Sequence, residues 1–379
     1  MEERPLSRSR DVSADRSVSN SASSAPTKPL IRVLHGEVLD PPPFWFMRQA
    51  GRYLPEYRAV RAQAKDFIAL CLDPVLAAEI TLQPVRRYGM DAAILFADIL
   101  LVPHALGQDI AFVEGQGPKL APVRDGRDVD RLQRAADGAV ERLAPVYETV
   151  RRVRTGLPPQ TALIGFAGAP WTVATYMVEG GGGHDFAIVR RWAYGDPDSF
   201  QILIDLLVDT TVRYLEAQIE AGAEALQLFD TWAGILDAAG FQRWCVAPVR
   251  AIVERLRVRH PSIPVIAFPR GAGVGYRDYA TATGVAAVGL DPSVPPEWAA
   301  AELQPAAAVQ GNLDPQLLVV GGEPMLAAVD RILAALGGGP FIFNLGHGIV
   351  PETPPENVAA LCERLRSDNG RPPAGSTAR

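Results

Sequence analysis

Short apolar runs recur along the chain with longer amphipathic stretches between them, and this alternation restricts the fold more than any other feature. Each run is short enough for a strand that is buried on both faces, as the strands of parallel sheets are. The eight runs are 44–47, 92–96, 162–166, 225–229, 265–268, 286–290, 307–310 and 341–343. Eight strands alternating with helices predict a single-domain (β/α)8 barrel of the TIM type. A doubly wound open sheet is the alternative, although no Gly-x-Gly-x-x-Gly motif follows an early run.

The stretches between the runs carry helix signals. Asp73 and Pro74 provide an N-cap acid and a first-turn proline. They predict a helix over 75–88, which Pro84 should kink. The other predicted helices cover 129–153, 199–221, 241–259, 324–336 and 355–365.

The two ends of the chain have little to bury. Residues 1–28 are rich in Ser, Arg and Asp, so we predict a disordered tail there, the barrel over 29–366 and a second tail over 367–379. Acidic residues in the first tail argue against a transit peptide. No apolar run approaches the ~18 residues of a spanning helix, so the prediction is a cytoplasmic protein without a membrane partner.

Charge and cysteine usage exclude further classes. The formal net charge of −6 argues against nucleic acid as a partner. Three widely spaced cysteines without a CxxC motif indicate a reducing compartment. No pair of histidines has metal-ligand spacing, so we expect no metal site.

Polar residues follow the ends of the predicted strands. In a barrel these positions gather at one mouth, where the active site lies. They are Arg48, Arg52, Asp98, Asp230, Thr231, Arg270, Asp291, Asn312, Asp314, Asn344 and His347. Their common placement predicts a functional site better than any single member does.

The first run leads directly into two arginines. Arg48 and Arg52 are separated only by Gln49, Ala50 and Gly51. A pair of guanidiniums at a strand end presents planar, bidentate donors that suit carboxylates. Five basic side chains and one acid lie within 48–65, against the acidic balance of the whole chain. A solvated helix face is the alternative explanation for the later basic residues of this stretch.

Three further residues are candidates for the site, and two of them, Asp98 and Tyr176, have an alternative structural role. Asp98 ends the second run and is either a helix N-cap or an anion that faces the pocket. Tyr176 follows a small-residue segment at 165–172 and either packs in the core or presents its hydroxyl to the mouth. His347 lies between Gly346 and Gly348, with no helical face to pack on. It is the best functional candidate among the histidines.

Together these segments resemble the uroporphyrinogen decarboxylase family. The resemblance covers about residues 30–365, and its strings are 45–52 (WFMRQAGR), 96–100 (FADIL), 165–172 (GFAGAPWT) with Tyr176 and Glu179, 311–315 (GNLDP) and 344–348 (NLGHG). It implies a (β/α)8 homodimer with no metal or organic cofactor. It also implies conversion of uroporphyrinogen to coproporphyrinogen by loss of four acetate carboxyls as CO2. The substrate-binding residues that it implies are Arg48, Gln49, Ala50, Gly51, Arg52, Asp98, Tyr176, Thr231 and His347. Threonine at 231 stands where many members have serine.

The resemblance also implies a mechanism. Asp98 would stabilise a cationic intermediate by preorganised electrostatics. The proton donor stays open among Arg48, Tyr176 and His347, since a guanidinium with a pKa above ~12 is a weak acid. Two alternatives are a methyltransferase for corrinoid-bound methyl groups, which needs a zinc–thiolate site, and a tetrapyrrole-binding protein without activity.

Overall fold

The computed structural model describes residues 28–113, 115–183 and 185–367. Its strands are β1 (Ala92–Ile94), β2 (Ile110–Val113), β3 (Gly117–Leu120), β4 (Ala162–Gly168), β5 (Ala225–Asp230), β6 (Val265–Pro269), β7 (Ala287–Gly289), β8 (Ala308–Leu313) and β9 (Phe341–Leu345). Seven of them form one parallel sheet in the order β1-β4-β5-β6-β7-β8-β9. Every residue of these seven strands except Phe229 is buried, which confirms the prediction of strands covered on both faces.

The ring is closed by a segment that is shorter than predicted. The run 44–47 was expected to form a strand, and this is wrong: only Phe44 pairs, in parallel with Phe343 of β9. On its other side Phe44 exchanges hydrogen bonds with Asp91, at the start of β1. The chain then leaves the sheet and turns at Arg48, whose φ is +58°. Phe44 therefore joins β9 to β1, and the (β/α)8 barrel is confirmed.

Helices surround the sheet. They are α1 (Pro29–Leu34), α2 (Pro55–Arg61), α3 (Phe67–Cys71), α4 (Pro74–Tyr88), α5 (Leu101–Ala105), α6 (Gly126–Ala135), α7 (Ala139–Arg142), α8 (Ala144–Gly156), α9 (Pro170–Glu179), α10 (Ala187–Gly195), α11 (Pro197–Ala221), α12 (Ala238–Phe241), α13 (Ala247–Arg259), α14 (Tyr276–Thr283), α15 (Pro296–Glu302), α16 (Pro315–Val320), α17 (Gly322–Leu336) and α18 (Pro355–Arg366). Asp73 caps α4 as predicted, by accepting from the N–H groups of Val75 and Leu76. A single helix over 129–153 is wrong, because a 3-10 turn at Ala136–Gly138 and a fresh start at Ala144 divide it into α6, α7 and α8.

One hairpin was not predicted. Strands β2 and β3 pair antiparallel between α5 and α6. The N–H of Leu120 in β3 donates to the carbonyl of Gly180 (3.0 Å), just after α9. Phe112 in β2 packs on Phe67 with 4.6 Å between the ring centroids. The hairpin therefore holds the segment after α9 against the rim of the barrel.

The folded part reaches one residue into the predicted first tail. The Nζ of Lys28 is 2.6 Å from an oxygen of Glu224 and donates to the carbonyl of Thr161 (2.7 Å), and the side chain is buried. The rest of that tail and residues 368–379 lie outside the described residues. Within the described ranges, no helix is both long and apolar enough to cross a membrane.

Candidate active site

The side chains of the turn after Phe44 differ in their exposure to solvent. Arg48 and Arg52 are exposed, and Ala50 and Gly51 are half-exposed. Gln49, a predicted ligand residue, is fully buried. Two guanidiniums and the backbone between them are therefore what this turn can offer to a bound molecule.

The buried side chain of Gln49 holds this turn in place. Its Nε2 donates to the carbonyl of Ala92 in β1 (3.2 Å), and its Oε1 accepts from the N–H of Phe46 (3.2 Å). These bonds connect the turn to the neighbouring strand and stabilise the unusual backbone conformation at Arg48. Gln49 therefore positions the arginines and does not present its side chain to the mouth.

The loop after β9 fixes the same turn from the other side. Oδ1 of buried Asn344 accepts from the N–H of Met47 (3.0 Å), and the N–H of Ile349 donates to the carbonyl of Met47 (2.9 Å). Gly348 lies directly against Arg48, since a Cβ at position 348 would be 2.4 Å from Cδ of Arg48. The arginine and the histidine loop are therefore packed together as one unit.

His347 is held as a neutral imidazole. Its Nδ1 accepts a hydrogen bond from the N–H of Gly348 (2.6 Å). Burial, followed by the nearby charges of Arg48 and Arg270, lowers the pKa of His347 to about 4. At neutral pH the ring therefore carries its proton on Nε2 and can donate one hydrogen bond from there.

The carboxylate of Asp98 has few partners within the protein. It is half-buried, and its Oδ1 accepts from the N–H of Leu100 (2.9 Å) at the entry to α5. No basic side chain of the described ranges forms an ion pair with it. Burial raises the pKa of Asp98 to about 6, against the opposing effects of the Leu100 N–H and of Arg48. The N-cap of α5 is Leu100, so Asp98 lies just before the helix and is ionised near pH 7.

Tyr176 and Thr231 lie on neighbouring elements. Tyr176, on α9, is half-buried and packs on Trp232, with 6.0 Å between the ring centroids. Burial raises the pKa of Tyr176, which therefore stays a phenol. The Thr231 hydroxyl follows β5 and makes no hydrogen bond within the described part of the chain. Both hydroxyls are available to a ligand.

Electrostatic effects indicate that five of the predicted residues lie near one another. Asp98, Arg48 and Arg270 all influence the pKa of Tyr176, and both arginines influence that of His347. Such effects require proximity in a poorly screened environment. Four strand-end residues (Arg48, Asp98, Arg270 and His347) and Tyr176 of α9 therefore lie near one another, on five different positions of the ring.

Asp230 is a predicted mouth residue that lies beneath the mouth instead. It is buried, and its Oδ1 accepts from the hydroxyl of Thr172 (2.5 Å). The same hydroxyl accepts from the N–H of Trp232 (3.0 Å). Asp230 and Thr172 therefore hold the turn that carries Thr231. The sequence did not reveal the role of Thr172, because it depends on a contact between residues 58 positions apart.

Three other predicted mouth residues support loops. Buried Asp291 accepts from the N–H of Gly271 (2.8 Å). Buried Asn312 donates to the carbonyl of Asp291 (2.9 Å). Asp314 caps α16 by accepting from the N–H of Gln316 (2.8 Å). These residues shape the mouth and do not line it with free polar groups.

Ligands for a metal are not assembled in the described ranges. No group of three or more His, Cys, Asp or Glu side chains there could hold a metal ion. Cys71, Cys245 and Cys362 are buried and free.

Comparisons with known proteins agree with one another. The family model for uroporphyrinogen decarboxylase (URO-D) matches residues 25–367. The uroporphyrinogen decarboxylase of Rhodospirillum rubrum is 56% identical over 348 residues, which are 92% of this chain and 99% of that protein. That of Paracoccus denitrificans is 57% identical over 339 residues, 89% of this chain and 99% of that protein. A solved methyltransferase from Methanosarcina mazei superposes with a TM-score of 0.72 at 19% identity, over 89% of this chain and 97% of that one. This last similarity shows the fold alone.

Proposed function

The chain belongs to the uroporphyrinogen decarboxylase family, and we propose that its barrel mouth removes the four acetate carboxyls of uroporphyrinogen as CO2. The product is coproporphyrinogen, and the enzyme is a carboxy-lyase of porphyrin and haem biosynthesis. The observation that supports this site best is a carboxylate without an ion-pair partner, Asp98, that feels the charge of the exposed Arg48 guanidinium; a second exposed guanidinium, Arg52, follows on the same turn.

Substrate carboxylates meet complementary donors in this proposal. Arg48 and Arg52 form no ion pair with an acid of the described ranges, so their guanidiniums are free for bidentate contacts. Thr231 and Tyr176 offer hydroxyls, and His347 offers its Nε2–H. The half-exposed backbone at Ala50 and Gly51 allows close approach of a flat macrocycle.

The chemistry uses the substrate as its own electron sink. Protonation of a pyrrole ring carbon gives a cation, and the C–C bond to the acetate carboxylate then breaks. Its electron pair neutralises the cation while CO2 leaves and an exocyclic methylene forms. A second proton converts this methylene to a methyl group, and loss of the first proton from the ring carbon restores the pyrrole. In each round one proton replaces one CO2. Asp98 accepts hydrogen bonds from pyrrole N–H groups and stabilises the cation through its fixed negative charge.

The proton donor stays open among Arg48, Tyr176 and His347. A neutral His347 is a weak acid, and burial makes the Tyr176 phenol weaker than usual. We therefore assign both to hydrogen bonds with carboxylates. Arg48 is a weak acid too, because a guanidinium holds its proton tightly, and its charge is the one that acts on Asp98.

We expect the purified protein to convert uroporphyrinogen to coproporphyrinogen under anaerobic conditions with four CO2 released per substrate. The activity should survive dialysis against a chelator, because the proposal places no metal or organic cofactor in the site. Products are measured as oxidised porphyrins by chromatography. Absence of decarboxylation would disprove the function. A loss on chelation that one metal restores would instead indicate a metal-dependent reaction.

We also propose that the protein is a cytoplasmic homodimer without nucleic-acid or membrane partners. An exposed, charged mouth needs cover to exclude water during reaction, and a second copy would provide it. Sedimentation equilibrium at micromolar concentration should give about twice the chain mass of 40.7 kDa. A single species at the chain mass would contradict this.

A further inference from the structure

Arg270 follows β6 on a backbone that is fixed on both sides. Its N–H donates to the carbonyl of Asp230 (3.1 Å), and its own carbonyl accepts from the N–H of Gly234 (3.1 Å). The next residue, Gly271, has a φ of +75° and donates to Oδ2 of Asp291 (2.8 Å). The base of the Arg270 side chain therefore has little freedom to move.

The guanidinium itself has no protein partner. Arg270 is half-buried, yet its side chain forms no hydrogen bond or ion pair with any residue that the structure describes. The acids that follow the two flanking strands bond elsewhere. Oδ1 of Asp230 accepts from Thr172, and Asp291 accepts from Gly271 and Tyr276. A partly buried cation that lacks a counter-ion is costly unless a ligand supplies one.

The position of Arg270 in the ring indicates what this cation could bind. Counting from the Phe44 position, β6 is the fifth of eight positions, so Arg270 projects from the wall opposite Arg48 and Arg52. Its charge nevertheless reaches Tyr176 and His347, which places it at the same mouth. A macrocycle that carries carboxylates around its whole edge needs cations on both walls.

We propose that Arg270 binds a side-chain carboxylate of the substrate on the wall opposite Arg48 and Arg52. This inference rests on the proposed function and extends it with a binding residue. The contact holds a carboxylate in the ground state and the transition state alike, so its loss should act on KM.

The test compares Arg270→Gln with Arg270→Lys, and Arg250→Gln is the matched control. Arg250 is exposed on α13 and has no side-chain partner in the described ranges. Steady-state kinetics with uroporphyrinogen should show KM raised about 10- to 100-fold in Arg270→Gln, as expected for one lost charge-assisted contact, with kcat changed by less than about 3-fold. Arg270→Lys keeps the charge but loses the planar guanidinium, so its KM should lie between those of the wild type and Arg270→Gln. Arg250→Gln should have the KM and kcat of the wild type.

The possible failures are distinct. Unchanged KM in a folded Arg270→Gln protein would overturn the inference and leave the proposed function standing. A fall in kcat together with a lower Tm, not rescued by lysine, would assign Arg270 to structure and also overturn it. The activity of the wild type is measured before that of any variant, and an inactive wild type would disprove the proposed function itself.

Discussion

Replacing Asp98 by asparagine is expected to lower kcat about 10²–10³-fold, with KM within a few-fold of the wild type. The amide has the same shape, and its oxygen can still accept from the N–H of Leu100. What it lacks is the charge that stabilises the cation.

Because the pKa of Asp98 is raised to about 6 and the ionised form is the active one, kcat/KM of the wild type should also fall as the pH drops below about 6.

The same substitution is expected to raise the free energy of unfolding at pH 7.5. The folded-state pKa of about 6 lies above the unfolded value of about 3.9, so the folded protein binds more protons between about pH 4 and pH 6. Stability is therefore lost as the pH rises through this window, and an asparagine avoids the loss. Since the side chain is half-exposed, we expect a gain of only roughly 1 kcal/mol at pH 7.5 and none at pH 4.

Turnover and unfolding must be measured on the same variants. Asp98→Glu keeps the charge on a longer arm, so partial activity is expected. Asp291→Asn is a contrasting control, because that carboxylate accepts several internal hydrogen bonds and has a lowered pKa, and its loss should reduce stability. If Asp98 were a structural partner, Asp98→Asn would behave like Asp291→Asn. Near-normal turnover in Asp98→Asn would end the catalytic assignment.

The fold was largely predictable because its signal is local. Seven of the eight apolar runs became buried parallel strands, since a continuous apolar run is sufficient for a strand covered on both faces. The run 44–47 is equally apolar but does not form a strand, because a single paired residue closes the ring there. Strands β2 and β3 were missed because they form a separate hairpin whose residues are mostly half-buried or exposed, so they do not follow the pattern of a strand covered on both faces.

For the candidate site, the sequence could predict a place but not the role of each residue. The ends of parallel strands must meet at one mouth, and that rule located it. It could not separate side chains that face a ligand from those that support loops. Gln49 binds the carbonyl of Ala92, 43 positions away, and Asn344 binds Met47, 297 positions away. Contacts of this kind are absent from any local pattern, and they decide which polar groups remain free.

A methyl group at position 348 is expected to displace the side chain of Arg48 and so to lower activity, although Arg48 itself is unchanged. In Gly348→Ala, the Cβ would lie 2.4 Å from Cδ and 2.6 Å from Cγ of Arg48, so the arginine side chain must move. Its backbone cannot follow easily, because Met47 is bonded to Asn344 and Ile349. A displacement of about 1 Å at a positioning group can cost about 10²-fold, and we expect kcat/KM to fall by that order. Gly195→Ala is the matched control, since no atom lies within 4 Å of a Cβ there.

The cause of that loss can be isolated with a double-mutant cycle. All three of the nearest atoms to the added Cβ belong to the side chain of Arg48. Once Arg48→Ala has removed that side chain, Gly348→Ala should cost almost nothing further, so the double variant should equal Arg48→Ala in kcat/KM. If the two losses multiply instead, the alanine acts on the histidine loop independently of Arg48. The unit formed by Arg48 and the loop of His347 would then not exist as described.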